Sequence, residues 1–125
     1  MNVFWLAAGA IAALTALVHL IAGHRVPLGV MLAAPFDEVS KRTMHVVWHL
    51  VTIDLVLSAA VLCAAGIWPG RVSSQLPGVV AVQHGLYAIA FVVIALASRL
   101  PRGLWKLPQW TLFVPIVGLT AAGYL

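Results

Sequence analysis

Few residues in this chain can do chemistry, and five of them are histidines. His45 and His49 stand four apart, so they share one face of a helix, and Thr52 continues that face. His19 lies near the end of the preceding apolar block, at about the depth of His49 if each residue rises about 1.5 Å. His24 follows just beyond. Imidazole suits zinc, copper, iron and nickel, so His19, His45 and His49 are the expected ligands of a transition metal ion, with Asp37 or Glu38 available as an added carboxylate. The same residues could hold a haem b, with His19 and His49 (or His45) as axial ligands from neighbouring helices. His84 falls in the opposite leaflet without a histidine partner, which argues against two haems. Against both readings stands a simpler one: histidines near helix ends are tolerated at a membrane interface, bonded to backbone or headgroups.

Asp54 is the most unusual residue. It sits inside an apolar run, where an ionised carboxylate costs at least about 2.5–3.5 kcal/mol unless paired. Nine residues from His45 is about 900° of helix, so Asp54 points away from the histidine face. Tyr87 matches its depth in the antiparallel third block, and His84 lies about one turn further out on the same face. Asp54 is therefore expected to bond Tyr87 or His84. In its functional form this is a proton relay, with Asp54 and His84 titrating and Tyr87 and Thr15 bridging. In its structural form it is a packing bond that selects neighbouring helices.

These residues must be positioned by apolar helices. The chain of 125 residues is 63% hydrophobic and only 8% charged, against about 25% charged in soluble domains. Four apolar blocks, at about residues 3–22, 44–67, 79–100 and 107–125, each approach the roughly 20 residues that cross a bilayer core. Helix is required, because backbone groups in lipid must be satisfied within the segment. The expected fold is all-α, a single transmembrane domain forming an integral membrane four-helix up-down bundle. The breaks between blocks carry Pro and Gly: Pro27, Gly29 and Pro35, then Pro69 to Gly78, then Pro101 to Gly103. Asp37 could cap an earlier start for the second helix, with Asp37–Lys41 and Glu38–Arg42 pairing along it. Gly9 with Ala13, Ala12 with Ala16 and Gly118 with Ala122 allow close helix contact. Pro115 is expected to kink the fourth helix. The first block lacks a basic leader and exceeds a signal-peptide core, so it is read as a retained span.

Charge sets the orientation. Arg25, Lys41, Arg42, Arg99, Arg102 and Lys106 fall in the first and third loops, and only Arg71 falls in the second. Six basic residues against one place the first and third loops in the cytoplasm, making a multi-pass cell-membrane protein with N-terminus and C-terminus outside. Trp5, Trp68 and Tyr124 then fall at the outer interface, and Trp48, Trp105 and Trp110 toward the inner one. The lone Cys63 excludes an internal disulfide. No basic stripe points to nucleic acid, and no phosphate loop, catalytic triad or dinucleotide fingerprint points to an enzyme. The expected partners are the lipid bilayer and either a homo-oligomer or a larger membrane complex. The alternative function is a structural, accessory or assembly subunit with no cofactor of its own.

Overall fold

Asn2 starts the first helix. Its side-chain oxygen accepts the backbone N–H groups of Phe4 and Trp5, both at 3.1 Å, satisfying donors that a helix N-terminus leaves free. In the computed structural model, which describes residues 1–125, this helix, α1, runs over Val3–Ala33. It passes well beyond the expected end near Ala22. The segment His19–Leu28 is π-helical, and Pro27 lies inside it. Proline lacks an N–H and crowds the carbonyl four residues back, so an α-helical turn is penalised there. The wider π turn accommodates the proline without ending the helix. The connection expected from Gly23 onward shrinks to the residues around Pro35 and Phe36.

The second helix, α2, covers Glu38–Ile67. Asp37 caps it by accepting the Ser40 N–H at 2.9 Å, and Glu38 pairs with Arg42 at 2.7 Å. The expected Asp37–Lys41 pair does not form. The Asp37 carboxylate is taken up by the cap, and Lys41 Nζ lies over the Phe36 ring, 5.8 Å from its centre. Helix α3 covers Gln75–Ala97, beginning earlier than expected because Pro77 fits a first turn, where its missing N–H costs nothing. Arg99 and Arg102 adopt left-handed conformations (φ 54° and 57°) and turn the chain into the single turn α4, Gly103–Lys106. The last helix, α5, is Trp110–Ala122 and runs through Pro115. Its 13 residues span only about 20 Å, shorter than the fourth crossing expected over 107–125. Pro108 and Gln109 form a turn before it, and the chain leaves the helix at Gly123. Three helices, α1, α2 and α3, are long and apolar enough to cross a membrane; α5 is apolar but shorter.

Successive long helices run antiparallel. The Asn2 N–H bonds the Gly66 carbonyl at 2.8 Å, joining the start of α1 to the end of α2. Asn2 Nδ2 donates to the Gly123 carbonyl at 2.7 Å, and the Tyr124 hydroxyl donates to the Ser74 carbonyl, bringing the end of α5 and the start of α3 to the same place. Helix α1 lies against α2 along much of its length and also against α5; α3 lies chiefly against α5; α2 and α3 meet thinly. The tight α1–α2 contact depends on glycine. A Cβ at Gly9 would stand 2.6 Å from Cys63 Sγ, and one at Gly66 would stand 2.8 Å from the Leu6 nitrogen. The Gly118–Ala122 pair is not used in this way, since Gly118 faces open space. Two apolar clusters fill the interior, one around Ala8, Ala12, Leu62 and Ile116, the other around Ala16, Leu55, Ala88 and Phe113. Trp5, expected in an interfacial belt, is buried instead. Its Nε1–H donates to the Thr120 carbonyl at 3.1 Å and its ring meets Tyr124 edge-on.

Candidate functional site

Asp54 sits midway along α2, facing α3. Its carboxylate accepts two side-chain donors from that helix: Gln83 Nε2 at Oδ1 and the Tyr87 hydroxyl at Oδ2, the latter at 2.9 Å. Gln83 Nε2 also donates to the Tyr87 oxygen at 2.9 Å, closing a ring of three polar groups. Gln83 and Tyr87 are four apart and therefore share a face of α3. These are the side-chain hydrogen bonds that join α2 to α3, a helix pair that otherwise meets thinly. All three residues are half-buried, and a shallow groove lined by Val79, Val82, Leu86, Gln83 and Tyr87 runs along α3 beside them.

His84, the other expected partner of Asp54, is turned elsewhere. It is fully buried, and its Nδ1–H donates to the Val80 carbonyl at 2.9 Å. That bond fixes the tautomer, leaving Nε2 as an acceptor with no partner. The ring packs against Phe113 of α5 at 5.6 Å and against Tyr87 at 5.7 Å between centres. His84 thus reaches the Asp54 group only through the Tyr87 ring. Thr15 is buried as well, and its hydroxyl donates to the Ile11 carbonyl of its own helix at 2.8 Å. Gln83 is the residue that sequence reasoning missed. Its signal was present, since a glutamine at mid-span, one turn from Tyr87, needs a partner as much as an aspartate does.

The histidines at the other end of α2 do not converge. His19 stacks on Trp48, with ring centres 4.0 Å apart and planes 15° apart, and its Nε2–H donates to the Trp48 carbonyl at 3.3 Å. Gly23 makes room for that indole, since a Cβ there would meet Trp48 Cζ2 at 2.6 Å. His45 and His49 face each other, Nε2 to Nε2 at 3.2 Å. His24 is exposed. No three histidine, cysteine, aspartate or glutamate side chains are grouped to hold a metal ion. The geometry also lends no support to a haem: His19 is spent on Trp48, and the remaining facing pair lies on one helix instead of across a slot between two.

Outside the apolar segments, Asp37 shows the clearest electrostatic effect. Hydrogen bonds from Ser40, side chain first and then backbone, hold its carboxyl below the usual aspartate range. No protein-family model, no curated protein and no solved structure matches this chain.

Proposed function

We propose that the chain is an integral membrane protein, a four-helix up-down bundle with both termini outside, whose working centre is Asp54 with Gln83 and Tyr87. In this reading the centre accepts and passes protons near the middle of the bilayer, with His84 as the next station. The membrane setting is supported by three helices of spanning length and by outward faces carrying Leu14, Leu17, Ile53, Leu57, Leu86 and Ile94, too extensive an apolar surface for a soluble monomer. The carrying observation is that a mid-span carboxylate is met by a phenol and an amide from a neighbouring helix that otherwise meets α2 thinly. A carboxylate placed there is held by hydrogen bonds and remains half-accessible, as a group that exchanges protons must be. The free Nε2 of His84 beside Tyr87 supplies a further acceptor.

One observation favours a second reading. The bonds to Asp54 are also what ties α3 to α2, so the same residues would serve a structural or accessory subunit as a clamp. Infrared difference spectroscopy on lipid-reconstituted protein separates the two. The relay reading expects a carboxylic-acid carbonyl band that vanishes in Asp54→Asn and shifts in Tyr87→Phe. Absence of any such band, together with a lowered melting temperature in Asp54→Asn, would leave the clamp.

A further inference from the structure

His45 and His49 are the cluster of chemistry-bearing groups that the Asp54 centre does not use. They stand on a regular stretch of α2, with His45 half-buried and His49 exposed. Their Nε2 atoms are 3.2 Å apart and their ring centres 4.9 Å apart. Two zinc–nitrogen bonds of about 2.0–2.1 Å at a tetrahedral angle place their nitrogens about 3.3–3.4 Å apart. The two nitrogens are therefore already at nearly the separation of two ligands on one ion, and side-chain rotation is what would aim both at it. Without metal, one Nε2 carries the proton and the other accepts it. Moving that proton to Nδ1 frees both lone pairs.

We propose that His45 and His49 form a two-imidazole chelate for a borderline divalent cation of the copper, nickel or zinc class. The site is bidentate, unlike the three-histidine centre expected from the sequence. His19 is held on Trp48 and Glu38 is engaged by Arg42, so neither completes it. Because His49 is exposed, the remaining coordination positions face outward from the bundle, toward a donor atom carried by whatever approaches. Imidazole nitrogens favour these ions over magnesium and calcium, which prefer oxygen ligands. The inference does not depend on the Asp54 reading.

The test is titration of tag-free, detergent-purified full-length protein with copper(II) alone, followed by electron paramagnetic resonance for imidazole nitrogen coupling. Saturable binding at one ion per chain is expected. His45→Ala and His49→Ala should each weaken it about tenfold or more, since even outer-shell partners are worth 10–100-fold. His19→Ala and His24→Ala should leave affinity unchanged. Adding Lys41→His to His49→Ala rebuilds an i, i+4 pair with His45 on the exposed first turns of α2, and should restore binding. Circular dichroism of each variant separates lost binding from lost fold. Equal binding by wild type and by the His45→Ala/His49→Ala double variant, both folded, would overturn the proposal.

Discussion

At the scale of residues, the pairing of Asp54 with Tyr87 can be read from depth alone. Both stand near mid-span on successive antiparallel segments, and a carboxylate there must find a donor. Which neighbour accompanies Tyr87 cannot be read that way. Gln83 and His84 lie four and three residues before it, so either could share its face. The choice is made by the rotation of α3 against α5, where His84 is drawn in against Phe113. Two predictions belong here. A double-mutant cycle with Asp54→Asn and Tyr87→Phe should give a coupling of about 0.6–1.7 kcal/mol in reversible unfolding, the range found for membrane hydrogen bonds. Additive losses would mean that the bond contributes nothing specific. His84→Leu should leave the melting temperature unchanged or raise it. A buried acceptor without a partner costs about 1–3 kcal/mol, and a similar-sized apolar side chain removes that cost. If His84 serves the relay, the same stable variant should slow proton exchange at Asp54, read from its infrared band.

At the scale of elements, apolar block length located the helices, and the turn residues misplaced several ends. Pro27 and Gly29 read as a break, yet α1 carries both. The π turn that accommodates Pro27 is also packed by a long-range contact that no local pattern contains: Gly23 lets the Trp48 indole of α2 press against the π segment. Gly23→Ala should therefore destabilise the protein by about 1–3 kcal/mol, an overpacking cost, and Trp48→Ala in the same chain should remove most of it. Thermal unfolding of the two single variants and the double variant checks this, and a penalty unchanged in the Trp48→Ala background would refute the contact as its cause. The start of α2, by contrast, was legible, because Asp37 is a local cap. Its folded-state pKa is depressed, so its contribution is full above the unfolded aspartate pKa and is lost as pH falls through the folded value. The Ser40 amide chemical shift should titrate over that acidic window as the first turn frays. Asp37→Asn, an equally good cap without a titrating proton, should abolish the titration while keeping the helix start.

At the scale of the whole molecule, topology and orientation are separate questions with separate evidence. Topology is visible in the contacts: Asn2 bonds the Gly123 carbonyl and the Gly66 carbonyl, so both chain ends and the end of α2 share one side of the structure. Which side of a membrane that is depends on charge alone. The opposite end carries Arg25, Lys41, Arg42, Arg99, Arg102 and Lys106, and this end carries Arg71. On the proposed reading, in which the basic loops are retained in the cytoplasm, both termini lie outside. The short α5 makes the test worthwhile, because about 20 Å of helix is less than the roughly 30 Å of hydrocarbon, and residues flanking it, Leu107–Gln109 and Gly123–Leu125 among them, must make up the difference. Alkaline phosphatase fused after Leu125 should be active and a fluorescent protein fused there should be dark, with an N-terminal reporter giving the same side. Two cytoplasmic termini would preserve the fold and reverse the orientation, showing that the loop charges do not govern insertion here. Termini on opposite sides would mean that α5 does not cross. The Asn2–Gly123 bond could not then exist in the membrane, and α3, which lies chiefly against α5, would keep only its thin contact with α2 and the bonds to Asp54 to hold it in place.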